Sequence, residues 1–221
     1  MPMFNSLSTF ISQFNRCQLC GLDRGTHATL CQECWQNLPW CHQSFIRQEL
    51  SIHAACAYQY PISNIIQKFK YEEKLHFQTL LSAALNQLKI PKVHALVPMP
   101  ISQERLVERG YNQALLLAQH LSKELNIPIW QPIYRVHEHH QKGLNRLERL
   151  TNLEDQFKAH RQQRVIYRKV LIIDDVVTTG SSVRALHDAL LQLGCKQVHV
   201  ACVAIATESE LNLENAVLPK E

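Results

Sequence analysis

The segment VLIIDDVVTTGSSV, Val170 to Val183, constrains the chain more than any other. It opens as a short, wholly apolar run, which reads as a buried strand over Lys169 to Ile173. Two adjacent carboxylates follow, Asp174 and Asp175, and then a cluster of small hydroxyl residues around Gly180. Ser181 to Leu193 has helical spacing, with Val183, Leu186, Leu190 and Leu193 on one face and Gly194 as its stop. QVHVACVAIA, Gln197 to Ala206, reads as the next strand. A strand, a helix and a strand form a βαβ unit, so the expected fold is α/β with a mainly parallel sheet flanked by helices. Ligands of such sheets sit beyond the C-terminal strand ends. The two acids and the hydroxyl loop therefore stand at the ligand end.

Earlier parts of the chain supply more elements of this kind. HAACAYQY, His53 to Tyr60, reads as a strand ended by Pro61, and Ile62 to Lys70 as a helix. Phe77, Leu80, Leu81, Ala84, Leu85 and Leu88 mark an amphipathic helix. HALVPMP, His94 to Pro100, is a short strand stopped by prolines, and Ala114, Leu117, Ala118, Leu121 and Leu125 stripe another helix. PIWQPIYRV is extended, because its prolines disfavour helix. Val136 to Gln163 is polar and without pattern, the texture of a functional lid, placed at about 137–163.

At 221 residues the chain can build one substantial core and a small appendage. With 46% hydrophobic and 19% charged residues it is an ordinary globular sequence. The formal charge of +4 permits an anionic ligand or nucleic acid without demanding either. No apolar run approaches the roughly 18–20 residues of a membrane helix. The opening MPMFNSLSTFISQFNR spaces its apolar residues as a short amphipathic helix would, so the expected location is the cytoplasm.

The chemistry of the acid-hydroxyl segment is specific. Two ionised acids repel a phosphate, but they accept hydrogen bonds from vicinal sugar hydroxyls or bind Mg²⁺. Thr178, Thr179, Gly180, Ser181 and Ser182 open a helix, whose first amides have no internal partner and attract anions. Acids for hydroxyls and amides for a phosphate, side by side, suit a ribose 5-phosphate. Helix and turn capping alone would explain the hydroxyls but would leave the adjacent acids without a role. No Lys follows the glycine, so the loop is not a Walker A motif.

The cysteines divide into a cluster and a scatter. Cys17, Cys20, Cys31 and Cys34 form Cys-x2-Cys, ten residues, Cys-x2-Cys. Four thiolates in two knuckles make a closed tetrahedral Zn²⁺ site, structural because no position is left for water. Metal would order a segment too short to build its own core. Gly21 suits the turn after Cys20. Cys56, Cys195 and Cys202 lie in apolar surroundings and read as buried. No role attaches to Cys41 or to the tract of His137, His139 and His140. The expected organisation is an N-terminal helix and four-cysteine zinc finger over 1–50 and an α/β domain over 51–221.

VLIIDDVVTTGSS resembles the phosphoribosyl-pyrophosphate (PRPP) signature of type I phosphoribosyltransferases. CQLC, CQECW, LPW, FKYEEKL, VPMPISQERLVERGYNQALLLA and GLNRLERLTNLEDQF together resemble the ComF family, also called amidophosphoribosyltransferase-like or GntX-like, over nearly the whole chain. The resemblance implies a type I phosphoribosyltransferase-like domain. It implies that Asp174 and Asp175 hold the ribose hydroxyls and are the catalytic pair, that Val176 and Val177 belong to the PRPP-binding segment, and that Thr178 to Ser182 hold the 5-phosphate. It further implies a role in natural transformation, where imported single-stranded DNA is handled together with other DNA-uptake or recombination proteins. A phosphoribosyl transfer releasing pyrophosphate, a non-catalytic DNA-binding or adaptor role, and a GntX-like role in carbon utilisation remain open within it.

Arg105 and Arg109 follow the Val97–Pro100 strand end and face the same crevice, where with Mg²⁺ they would meet a pyrophosphate. Lys142, Arg146 and Arg149 belong to the lid and are candidates for ligand or nucleic acid. Lys68 and Lys70, interleaved with Phe69 and Tyr71, are weaker candidates for the same contact, with Phe69 expected in the core.

Overall fold

A computed structural model describes residues 16–41, 43–136, 156–160 and 165–206. The opening amphipathic segment, most of the lid with Lys142, Arg146 and Arg149, and the histidine tract lie outside the described residues. In chain order the elements are α1 (Gln32–Gln36), β1 (Phe45–Arg47), β2 (Leu50–Ala57), α2 (Ile62–Tyr71), α3 (Phe77–Leu85), β3 (Ala95–Pro98), α4 (Gln103–Arg109) and α5 (Gln113–Leu125). They continue with β4 (Ile133–Arg135), β5 (Phe157–Ala159), β6 (Lys169–Val177), α6 (Ser181–Leu193) and β7 (Gln197–Ile205).

Five strands pair in the order β1-β2-β7-β6-β3. β2–β7, β7–β6 and β6–β3 are parallel, and only the β1–β2 hairpin is antiparallel. β4 and β5 pair as a separate antiparallel ribbon. The period of two along β6 divides its apolar residues between the two faces. Leu171 and Ile173 pack with α2, α3 and α5 through Ile66, Phe69, Leu80, Leu81 and Leu117. Val170 and Ile172 pack with α6 through Val183, Leu186 and Leu190, together with Trp130 and Phe157. Both faces being covered explains why β6 reads as a continuous apolar run.

β6 extends past its apolar part. The ladder continues through Asp174↔Cys202 to Val177↔Ile205, because β7 offers an unbroken edge that far. β1, β5, α1 and α4 are too short to show a period. The cysteine-bearing segment is packed against the sheet's helical layer, with Leu30 and Leu38 buried in the same cluster as Ile62 and Phe69. No helix among the described residues is long and apolar enough to cross a membrane.

Candidate functional site: an acid-hydroxyl cleft and a thiol cluster

One cleft gathers nearly everything that the acid-hydroxyl segment suggests. It encloses about 180 Å³ and is lined by Asp174 to Val183, by Arg105, Arg109 and Asn112 beyond β3, and by Lys70 and Arg135. This is smaller than the roughly 300–1,000 Å³ of drug-sized pockets.

Each wall is fixed locally. At the end of β6, Asp174 Oδ1 accepts the Asp175 amide at 2.9 Å and Asp175 Oδ1 accepts the Val176 amide at 2.7 Å. These bonds hold both carboxylates against the backbone as the strand turns outward. Gly180 has φ +81° and begins α6, and no side chain caps that helix. Apart from the Ser181 amide, which meets Thr179 Oγ1 at 3.5 Å, its first-turn amides are open to an anion. The glycine is required twice over. A Cβ there would lie 2.8 Å from Arg47 Cβ, because the β1–β2 hairpin packs behind the loop. Arg47 is tied down in turn by its guanidinium, which donates to the Ala206 carbonyl at 3.0 Å.

The arginines reach the cleft on α4, which starts at an N-cap, Ser102, whose hydroxyl accepts the Arg105 amide. Asn112 caps α5 through the Leu115 amide and also donates to the Met99 carbonyl at 3.1 Å, locking helix to strand end. Tyr111 donates to the Phe69 carbonyl, so the RGYNQ and FKY segments, far apart in sequence, are one assembly. Arg109 lies over the Tyr71 ring, 4.8 Å from its centroid, and donates to its hydroxyl at 3.3 Å.

Two cleft residues were poorly legible from sequence. Lys70 lies at the end of α2, and its ammonium is 3.0 Å from Asp175 Oδ1. Lys68 does not line the cleft. Arg135, at the end of β4, donates to Ser182 Oγ and to Gln156 Oε1, each at 3.1 Å, and lies over the Phe157 ring. Arg135 had no motif around it; only the pairing of β4 with β5 brings it to the hydroxyl loop.

Charge in the cleft is finely divided. Burial opposes the charge on Lys70, but the Asp175 and Asp174 carboxylates outweigh it and hold the ammonium above its ordinary pKa. Burial first, and the neighbouring Asp175 charge second, push the Asp174 carboxyl from 3.8 up to about 7. An acid raised by folding binds a proton as the chain folds. Its contribution to stability therefore falls as pH rises from 3.8 through about 7. Asp174→Asn is expected to remove that slope. The variant should melt at least about 3 °C above wild type near pH 8, with the gap narrowing toward about pH 6 in thermal scans.

The cysteines form the second site. The sulfurs of Cys17, Cys20, Cys31 and Cys34 all lie within 4.8 Å of one another, and no other group of this kind occurs among the described residues. A tetrahedron with metal–sulfur bonds of about 2.3 Å has edges of roughly 3.8 Å, so the spacing fits a four-thiolate metal. Gly21 turns the first knuckle at φ +69°, and Cys31 caps α1, its sulfur accepting the Cys34 amide at 3.4 Å. Burial opposes ionisation of Cys17, but the amides of Cys20, Cys31 and Leu19 outweigh it and lower the thiol to about 6. Burial and the neighbouring sulfurs push Cys34 the other way. These four residues can hold a metal ion.

A model of the phosphoribosyl transferase domain matches residues 112–217. Competence protein F of Haemophilus influenzae is 32% identical over 203 residues, covering 86% of this chain and 84% of that protein. The chain belongs to the ComF family. Competence protein ComFC of Bacillus subtilis is 28% identical over 183 residues, spanning 80% of this chain and 72% of its own. DNA utilization protein YhgH of Escherichia coli K12 is 32% identical over 202 residues, spanning 85% and 82%. The α/β fold is thus the type I phosphoribosyltransferase fold, and in this ComF chain the thiol cluster precedes it.

Proposed function

We propose that this ComF protein binds PRPP, or another ribose 5-phosphate, in the cleft, and acts in the cytoplasm in the handling of imported single-stranded DNA. One observation carries the ligand assignment. Asp174 and Asp175 stand beside the uncapped start of α6, with Arg105 and Arg109 across the same small cavity. Vicinal hydroxyls would donate to the carboxylates, and the amides of 178–182 would take the 5-phosphate, with Val176 and Val177 as backbone leading into that loop. Arg105, Arg109 and Arg135 supply the positive charge that further phosphate oxygens need.

The same contacts would serve phosphoribosyl transfer. Pyrophosphate would leave C1 with the bonding electron pair, an acceptor's lone pair would form the new bond, and the cleft would hold ribose and leaving group in place. Magnesium fits the cleft's own donors poorly. Among the described residues only two carboxylates meet there, and Lys70 occupies Asp175. Zinc fits the four thiols, where it would close the fold of the cysteine segment. The DNA role is supported by the names of the relatives, two competence proteins and a DNA utilization protein. Single-stranded DNA and other proteins of DNA uptake or recombination are the partners this role implies.

Calorimetric titration of PRPP into the zinc-loaded protein tests the ligand. Wild type is expected to bind, and the Asp174→Asn, Asp175→Asn double variant to lose at least about a hundredfold in affinity, as for two charge-assisted contacts at about 1.5–3 kcal/mol each. Equal affinity in the two proteins, or no binding to wild type, would sink the assignment.

A further inference from the structure

Asp174 and Asp175 bring two carboxylates to the end of β6, and a phosphate ligand brings more negative charge. Something positive has to stand among them. In many sites of this composition that is a divalent metal, which needs several oxygen ligands. No third acid or histidine joins the pair within ligand distance among the described residues. Lys70 does join it. Its Nζ lies 3.0 Å from Asp175 Oδ1, and the two side chains are only 21% and 7% exposed.

Both partners of this contact are held from outside the cleft. Lys70 sits in the last turn of α2. The neighbouring Phe69 is fully buried, its ring packs against Tyr111, and its carbonyl accepts the Tyr111 hydroxyl. Asp175 is fixed by the Val176 amide on Oδ1. Its second oxygen, Oδ2, is buried beside the cavity and has no hydrogen-bond partner among the described residues. An acceptor of that kind, with an ammonium 3.0 Å from its other oxygen, is suited to a hydroxyl donor from a ligand. A lysine carries three donors, so Lys70 can keep Asp175 and still meet a ligand oxygen.

We infer that Lys70 is a built-in cation, taking at the carboxylate pair the place of a divalent metal, so that a ribose 5-phosphate with free 2- and 3-hydroxyls binds without one. This rests on the sugar-phosphate reading of the cleft. It assigns Lys70 a ligand-binding role beside Asp174 and Asp175, and it removes magnesium from that end of the site.

Ribose 5-phosphate itself is the probe, because it has no pyrophosphate to carry magnesium in. It is titrated calorimetrically into the zinc-loaded full chain in metal-depleted buffer, and again with millimolar Mg²⁺. No chelator is added, since it would take the finger's metal. Wild type is expected to bind with the same affinity, within about threefold, in both buffers. Lys70→Met is expected to lose at least about tenfold without Mg²⁺ and to recover part of it when the ion is added. Lys70→Arg, which keeps the charge, should stay independent of the metal. Wild-type binding that appears only with Mg²⁺ overturns the inference, as does metal-free binding by Lys70→Met at wild-type strength. Either result leaves the sugar-phosphate cleft standing. Absence of binding in every condition overturns the cleft assignment and the inference with it. Should Lys70→Met fail to fold, the wild-type comparison and Lys70→Arg still decide.

Discussion

Gly180→Val is expected to weaken binding of PRPP severely while leaving the sheet folded. Gly180 holds φ +81°, a region that a β-branched residue enters only under strain. Left-handed backbone costs an L-residue on the order of 1–2 kcal/mol before any clash is counted. The clash is severe, because the new Cβ would stand 2.8 Å from Arg47 Cβ and 3.6 Å from Gln48 Cγ. Arg47 cannot withdraw cheaply. It belongs to β1, and its guanidinium holds the carbonyl that follows β7. The loop must therefore move instead, and with it the amides at the start of α6. Loss of a multidentate phosphate contact should weaken PRPP by more than about a hundredfold, equivalent to about 2.7 kcal/mol. The core faces of β6 and α6 are untouched, so the melting temperature should drop by only several degrees. Calorimetry and thermal unfolding on one preparation read both quantities. Wild-type affinity in Gly180→Val would mean that the 5-phosphate does not lie on this loop.

Gly180 was legible in the sequence because all that it serves is contiguous. Strand, acids, loop and helix occur within one segment, and local rules of periodicity and capping describe them. The same holds for the thiols, whose spacing alone implies two knuckles. Lys70 was a weak candidate, because its partner Asp175 lies in a distant segment and the FKYEEK motif suggested a nucleic-acid contact as readily. The bond from Tyr111 to Phe69, which joins α2 to the α4–α5 connection, links segments too far apart for any local pattern to show. Arg135 and β5 fall at the edges of a polar stretch where no period exists. Their pairing is written in the three-residue ladder and in the Phe157 ring beneath the guanidinium, both tertiary facts. Strand order was equally hidden. Nothing local says that β7 inserts between β2 and β6, though that placement gives Asp174 its neighbour Cys202.

Removing metal from the cysteine cluster is expected to reach well beyond the finger. Leu30 and Leu38 are buried with Ile62, Ile66 and Phe69 in one cluster, so the segment is part of the wall that supports α2. Zinc held by four thiolates contributes on the order of 10 kcal/mol to ordering such a segment. Cys20→Ser, or treatment with a chelator, should lower the melting temperature by roughly 10 °C or more. Trp35 and Trp40 report the local change. Their rings meet edge to face at 4.8 Å, and Trp40 Nε1 donates to the Trp35 carbonyl, so their emission should shift red as they meet water. Two routes lead from there to the cleft. α2 carries Lys70 to Asp175, and the chain from Trp40, bridged to Cys56, leads into the β1 strand that backs Gly180. Metal loss should therefore weaken PRPP about tenfold, less than Gly180→Val does, because it loosens the supports without blocking the loop. A stripped protein that melts like the loaded one would show that the four cysteines are not a structural metal site. One that melts early yet binds PRPP unchanged would show that the finger and the cleft are mechanically independent.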